Sequence, residues 1–228
     1  MTPSLLTGLA DENPDRAVLG VERSATARAW RDRLGAVERA KAVAIAQRYE
    51  LPDSLARVLA GRGVEVDAVP DYLEPTLKRL MPDPSTLMDM DLAAERLAVA
   101  VEARESVALF GDYDVDGATS VALAARVLVA LGLKPLIHIP DRLTEGYGPN
   151  DEAIERLAGE GAQLLVTLDC GTTSYGPLAH AARLGLDVVV LDHHQANPEL
   201  PAVVAVVNPN RQDDLSGLGA LAACGVSF

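Results

Sequence analysis

Short apolar runs that alternate with amphipathic segments limit how this chain can fold more than any other feature of its sequence. The runs are rich in Val, Leu and Ile. They predict strands at residues 106–110, 135–139, 164–168 and 187–191, with a further apolar run at 202–207. Nearly continuous apolar strands are typical of parallel sheets that are covered by helices on both faces. The sequence therefore predicts an α/β domain built on a parallel sheet.

The segments between these strands carry apolar residues at helical spacing. They predict helices over residues 91–104, 119–131, 150–158 and 174–184, and Asn150 is the expected N-terminal cap of the third. Helices in these positions would connect parallel strands, as the sheet requires.

The part of the chain before residue 91 has a different character. Residues 1–28 lack periodicity and are expected to form an irregular arm, followed by a helix over 29–48 in which Trp30 would anchor a core. A second short helix, capped by Ser54, is expected to end at Gly61 or Gly63. We therefore expect residues 1–90 to form an arm and a small helical region, and residues 91–228 to form the α/β domain.

Polar clusters follow the strands of this predicted sheet. They are "GDYDVDG" after the first strand, "PDR" after the second, "DCGTTS" after the third and "DHHQ" after the fourth. The carboxyl ends of the strands in an open α/β sheet meet at one edge, which is where ligands bind. We therefore expect four loops that are distant in sequence to share one crevice.

The crevice would hold five carboxylates and two imidazoles. In a partly buried site this arrangement would be electrostatically unfavourable unless cations bind there. These residues are Asp112, Asp114, Asp116, Asp169, Asp192, His193 and His194. Carboxylates mixed with histidine suit Mn²⁺, and also Mg²⁺ or Zn²⁺. Several bridging carboxylates indicate two metal ions, which together activate water and stabilise charge on a phosphoryl group.

Each motif alone also has an ordinary explanation. Asp169 could cap a helix, the aspartates of 112–116 could form a solvated acidic loop, and a His-His pair beside Asp192 is a weak signal. A calcium loop of the EF-hand type is disfavoured, because Leu123 stands where that loop needs Glu. The occurrence of all these motifs at successive strand ends favours a metal site.

Residues beside the crevice have two interpretations each. Thr172, Thr173 and Ser174 offer hydroxyl and N–H groups at a helix N-terminus, either for a substrate phosphate or as ordinary caps. Arg142 could bind phosphate or form a surface ion pair, and Tyr147 could stack on a base or pack internally.

Three further residues with reactive side chains are expected to be structural. Cys170 is expected to be a small packed residue rather than a nucleophile. His138 is expected to be a core histidine, although its position leaves a substrate role open. His180 is expected to be structural or to face solvent.

Composition narrows the class of protein. The net charge of −13 argues against a nucleic-acid partner, an objection that weakens if carboxylates bind cations. We expect no membrane span and no signal peptide, since no apolar run reaches 18 residues and the start lacks a basic region. Two cysteines without a paired motif are consistent with the cytoplasm.

The motifs "GDYDVDG", "LDCG" and "LDHH" resemble the signature motifs of the DHH phosphoesterase superfamily. The resemblance is greater to its RecJ branch, because "IPDRLTEGYGPN", "VVNPNRQDD", "GVSF" and the lead-in over residues 62–97 are also similar to it. It covers the chain from about residue 29 to the end. RecJ enzymes are exonucleases that degrade single-stranded DNA from 5′ to 3′ in repair and recombination.

The resemblance implies a role for each matching residue. Asp114, Asp116, Asp169 and His193 would bind two Mn²⁺ or Mg²⁺ ions, and Asp112 would be a ligand or a close neighbour. His194 would contact the scissile phosphate or orient the attacking water. Asp192 would fix the tautomer of a histidine. A single-strand-binding protein and a helicase are the partners that the family implies.

One departure from the family limits these expectations. The family has another metal-binding Asp and a DHHA1 domain downstream, and Asp213 and Asp214 do not match that motif. We therefore expect this chain to be an N-terminal fragment with little activity alone. Two alternatives remain open: a DHH phosphatase acting on oligoribonucleotides or cyclic dinucleotides, and a non-catalytic RecJ-like partner protein.

Overall fold

The computed structural model describes residues 17–228, so most of the expected arm lies outside the described residues. The chain divides into two compact units, one that ends at Met81 and one that begins at Pro82. The sequence analysis predicts this boundary at residue 90. No helix among the described residues is both long and apolar enough to cross a membrane.

The first unit is helical. Its helices are α1 (Ala36–Tyr49), α2 (Asp53–Gly61), α3 (Val69–Leu73) and α4 (Leu77–Leu80). Apolar residues of α1, α2 and the start of α3 form one buried cluster, which includes Ile45, Leu59 and Val69. Burial of this cluster is what holds the short helices together, because helices of this length are marginal by themselves.

Three expectations for this unit are wrong. The helix expected from residue 29 begins at Ala36, because the Asp32 carboxylate accepts a hydrogen bond from the Leu34 N–H at 2.9 Å and Gly35 is extended. Trp30 is 50% exposed rather than a core anchor. Ser54 does not cap α2 either, since that helix starts after Pro52 and makes no side-chain cap bond.

The second unit contains a five-stranded parallel sheet. Its strands are β1 (Val107–Gly111), β2 (Leu136–His138), β3 (Leu164–Leu168), β4 (Asp187–Leu191) and β5 (Ala205–Val207). Their order in the sheet is β2-β1-β3-β4-β5. The strand order reverses between β1 and β3, which is the point where ligands bind in open α/β sheets.

Helices cover both faces of this sheet. They are α5 (Met90–Glu102), α6 (Val115–Ala130), α7 (Asp151–Gly159), α8 (Tyr175–Arg183) and α9 (Ala223–Ser227). Alternate strand residues face two separate cores, one shared with α5, α6 and α9 and the other with α7 and α8. The predicted fold class is thereby confirmed. Asn150 caps α7 as expected, accepting a bond from the Ala153 N–H at 2.9 Å.

Helix α6 begins earlier than expected and brings the acidic motif into its first turn. It starts at Val115 rather than Thr119, because Asp114 Oδ1 caps it by accepting bonds from the N–H groups of Asp116 (2.8 Å) and Gly117 (3.1 Å). A Cβ atom at Gly117 would lie only 2.4–2.7 Å from backbone atoms of Asp112. Glycine is therefore needed here for close approach of the helix to the strand end.

Gly117→Ala should destabilise the second unit by about 1 to 3 kcal/mol, because the added methyl group overlaps the Asp112 backbone. Urea unfolding followed by far-ultraviolet circular dichroism measures the effect. Gly176→Ala is a matched control in the first turn of α8, where a Cβ meets nothing within 4 Å. Equal stability of Gly117→Ala and the control would show that the close approach is not a constraint.

Candidate metal centre

Three aspartates stand directly after three adjacent strands of the sheet. Each extends the parallel ladder by one residue, because its N–H donates to the last carbonyl of the next strand. The bonds run from Asp112 to Leu168 (3.2 Å), from Asp169 to Leu191 (2.9 Å) and from Asp192 to Val207 (3.0 Å). The sheet itself therefore places these carboxylates at one edge, as the sequence predicts.

Asp112, Asp114 and Asp169 form the acidic group at the switch point between β1 and β3. One carboxylate oxygen of each lies within 4.8 Å of the others. Asp112 and Asp169 are only 3% and 1% exposed, and the Oδ1 atom of each has no hydrogen-bond partner among the described residues. Buried carboxylate oxygens without partners are costly, and a cation would satisfy them.

The proton affinities in this group reflect burial and mutual repulsion. Burial, together with the neighbouring Asp114 and Asp116, raises the pKa of Asp169 to about 7. Burial and then Asp114 also raise the pKa of Asp112. The pKa of Asp114 is lowered, mainly by the hydrogen bond from the Gly117 N–H. This donor set of oxygens and imidazole nitrogen fits a hard divalent cation such as Mn²⁺ or Mg²⁺.

His193 presents one ring nitrogen to the acidic group. Its Nδ1 lies 3.0 Å from the carbonyl oxygen of Leu221, which can only accept, so the hydrogen-bond network assigns the proton to Nδ1. Nε2 is then left with a lone pair, 3.2 Å from Asp169 Oδ1 and 3.5 Å from Asp116 Oδ2. This is the arrangement of a histidine that binds a metal through Nε2.

Asp116 is held by the start of α9. Its two carboxylate oxygens accept bonds from the N–H groups of Ala223 and Cys224, each at 3.2 Å. The segment that orients His193 through Leu221 therefore also fixes Asp116. These backbone groups carry no side-chain signal, and sequence reasoning did not identify them.

Asp192 orients the second histidine rather than joining the acidic group. Its Oδ1 is 2.7 Å from His194 Nδ1, and its Oδ2 accepts a bond from the Thr172 N–H. Burial acts to raise the pKa of Asp192, but hydrogen bonds from Thr172 and His194 outweigh it and the pKa is lowered. Burial acts to lower the pKa of His194, but the interaction with Asp192 outweighs burial and the pKa is raised. The side chain of His194 is 48% exposed, so it can reach a ligand.

Two asparagines that were not identified as site residues support both histidines. Asn208 Nδ2 donates to the backbone oxygen of His194 and to Thr172 Oγ1, each at 2.9 Å. Asn210 Nδ2 donates to the backbone oxygen of His193. Asn208 follows β5 just as aspartates follow β1, β3 and β4, and this position is the signal that could have identified it.

The remaining expected residues lie around this centre. Thr172 is buried and its N–H is already bound to Asp192, whereas Thr173 is exposed and Ser174 precedes α8 without capping it through its side chain. Arg142 is not in a surface ion pair with any described residue; its guanidinium lies 5.1 Å over the ring of Tyr113.

The three residues expected to be structural are placed as follows. Cys170 is fully buried, as expected. His138 is buried and bonded to Glu145 and Arg156. His180 bonds to Glu155 and Arg183 away from the metal centre.

The raised pKa of Asp169 predicts how the metal-free fold responds to pH. The folded state holds the proton more tightly than the unfolded state, whose Asp has the ordinary value of 3.8. Stability in EDTA should therefore fall as pH rises towards about 7 and beyond, until Asp169 is ionised. Asp169→Asn should remove this loss and be more stable than the wild type at pH 8.

Urea midpoints measured by circular dichroism between about pH 5 and 8 test this expectation. Asp151→Asn, on an exposed residue at the start of α7, is the control. If the stability of Asp169→Asn depended on pH as that of the wild type does, the raised pKa of Asp169 would not be the cause of the pH dependence.

Comparison with known proteins identifies the family of this chain. The N-terminal domain of the DHH family matches residues 106–228. The single-stranded-DNA-specific exonuclease RecJ of Escherichia coli is 37% identical over 180 residues, which cover 78% of this chain and 30% of that protein. The protein of the same name from Bacillus subtilis is 38% identical over 146 residues, 64% of this chain and 19% of that protein.

A solved structure supports the fold as well. RecJ from Thermus thermophilus, in complex with Mn²⁺, is 26% identical and superimposes with a TM-score of 0.64 over 83% of this chain and 26% of that one. The chain thus spans less than a third of the length of these three relatives. Because the family domain matches more than half of its residues, the chain belongs to the DHH family.

Proposed function

We propose that this chain is the metal-binding part of a RecJ-like exonuclease that hydrolyses phosphodiester bonds of single-stranded DNA from the 5′ end, in repair and recombination. The observation that carries the proposal is the buried acidic group of Asp112, Asp114 and Asp169, with unsatisfied oxygens and with His193 Nε2 beside it. The relatives named single-stranded-DNA-specific exonuclease support the substrate.

Asp114, Asp116, Asp169 and His193 are the proposed ligands of two Mn²⁺ or Mg²⁺ ions, and Asp112 is a further ligand or neighbour. When bound, such ions supply a nucleophilic water at neutral pH and stabilise the charge that develops on a phosphoryl group. The chain's own contribution is to fix the ligands before binding: the α6 cap holds Asp114, α9 holds Asp116 and Leu221 orients His193.

His194 is the proposed contact to the scissile phosphate. Asp192 fixes its Nδ1–H, raises its pKa and so favours the protonated ring, whose Nε2–H can donate to a phosphate oxygen. Arg142 near Tyr113 supplies a second cation for the substrate, and the exposed Thr173 with Ser174 are further candidates for a phosphate contact. Thr172 has its N–H committed to Asp192 and contributes by orienting that carboxylate.

The proposed setting follows from the same resemblance. Single-stranded DNA is the substrate, and a single-strand-binding protein and a helicase are the proposed partners. The proposed location is the cytoplasm, where the two free cysteines, Cys170 and Cys224, remain reduced.

Asp116→Ala in the full-length protein should reduce Mn²⁺-dependent exonuclease activity by at least about 100-fold, because it removes a metal ligand. Release of nucleotides from a 5′-labelled single strand measures the effect. Asp151→Ala removes an exposed carboxylate of α7 and should keep full activity. Activity retained in Asp116→Ala would contradict the metal assignment.

The substrate class is tested by comparing a long single strand, the matching duplex and a dinucleotide at equal concentrations. The long single strand should be degraded fastest, and 5′-mononucleotides should be released first from the 5′ end. A preference for the dinucleotide would instead indicate a small-substrate phosphatase. No hydrolysis of any substrate, together with no Mn²⁺ binding, would indicate a non-catalytic partner protein.

A further inference from the structure

The loop of residues 139–149, between β2 and α7, lies beside the metal centre and has a compact fold of its own. The carbonyl oxygen of Asp141 accepts bonds from the N–H groups of Thr144 (3.2 Å) and Glu145 (2.8 Å). The Asp141 side chain accepts a further bond from the Leu143 N–H at 2.7 Å. These bonds fold the first half of the loop into a tight turn.

Glu145 ties this turn to the sheet. Its Oε1 accepts a bond from the Asp141 N–H at 2.9 Å, and its Oε2 is 2.8 Å from His138 Nε2 and 3.4 Å from Asn150 Nδ2. Arg156 donates to His138 Nδ1 at 2.6 Å, so the proton of the neutral ring lies on Nε2 and points to Glu145. One carboxylate therefore joins the end of β2, the loop and the cap of α7.

Tyr147, two residues further on, reaches the metal centre. Its hydroxyl oxygen lies 3.3 Å from the backbone oxygen of Asp169 and 3.2 Å from His194 Nδ1. Its ring meets the ring of His194 edge-on, with centroids 5.7 Å apart. Burial raises the pKa of Tyr147, so the hydroxyl keeps its proton at neutral pH.

The donors and acceptors around His194 form a consistent set. The Tyr147 hydroxyl donates to the Asp169 carbonyl and is then free to accept. The His194 Nδ1–H is shared between Asp192 Oδ1 at 2.7 Å and the Tyr147 oxygen at 3.2 Å. The imidazole is thus held from two sides, and Nε2 is the nitrogen left for a ligand.

We propose that Tyr147 and Glu145 are positioning residues for His194: Tyr147 fixes the orientation of the imidazole, and Glu145 holds the loop that delivers Tyr147. The proposal rests on the proposed function only for what His194 does to the substrate. None of the proposed metal ligands depends on the side chain of Glu145, so the two roles can be separated by experiment.

A matched control exists in the same unit. Glu155 on α7 bonds to His180 Nε2 at 2.9 Å, and Arg183 bonds to His180 Nδ1 at 3.0 Å. This Glu–His–Arg arrangement resembles that of Glu145, His138 and Arg156. It joins α7 to α8, however, and does not touch His194. Glu155→Gln therefore removes an equivalent charge without acting on the metal centre.

In the full-length protein, Glu145→Gln and Tyr147→Phe should each lower kcat on single-stranded DNA about 10- to 100-fold, the range for residues that orient a site histidine. The Kd for Mn²⁺ should stay within about twofold of the wild type, because neither substitution removes a contact to the side chain of a proposed ligand. Glu155→Gln should change neither quantity. Wild-type kcat in Glu145→Gln, or an equal loss in Glu155→Gln, would overturn the proposal.

A second measurement on the 228-residue chain does not depend on nuclease activity. The imidazole signals of His194, assigned with His194→Gln, are recorded by ¹H–¹⁵N NMR. They should shift in Glu145→Gln and in Tyr147→Phe but not in Glu155→Gln. Unchanged His194 signals in Glu145→Gln would overturn the positioning role, whereas shifted signals in a protein without nuclease activity would count against the proposed function alone.

Discussion

Repulsion between carboxylates that the backbone holds together is the constraint on which the site depends. Parallel pairing forces Asp112 and Asp169 to the same sheet edge, and the cap of α6 adds Asp114. Burial then prevents water from screening them, and the pKa of Asp169 is raised to about 7 as a consequence. The fold offsets this cost elsewhere, in two apolar cores that cover both faces of the sheet.

The supports of the site are mostly backbone groups. The Leu221 carbonyl orients His193, and the N–H groups at the start of α9 hold Asp116. Such contacts do not depend on side-chain identity, so they persist as long as the segment packs against α6. The histidines are supported in addition by Asp192, Asn208 and Asn210. A divalent cation would therefore meet ligands that are already oriented, which favours binding.

The sheet and the positions of its acidic residues could be predicted because hydrophobic periodicity is local and parallel topology brings strand ends together. Contacts between segments that are distant in sequence could not be predicted in this way. Nothing in the sequence near Gly117 reveals that a Cβ atom at this position would overlap the Asp112 backbone. The helical spacing around Trp30 was misleading. The Asp32 side chain accepts a hydrogen bond from the Leu34 N–H, and this bond competes with helix formation before Ala36. The bond from Tyr147 to Asp169 likewise spans 22 residues.

We propose that the strand-end carboxylates and His193 form one metal site. Anomalous scattering from a crystal of this chain soaked in millimolar Mn²⁺ tests it most directly. Manganese peaks should lie in contact with carboxylate oxygens of Asp112, Asp114 or Asp169 and with His193 Nε2. Manganese bound only at other acidic surfaces, with none between Asp169 and His193, would contradict it.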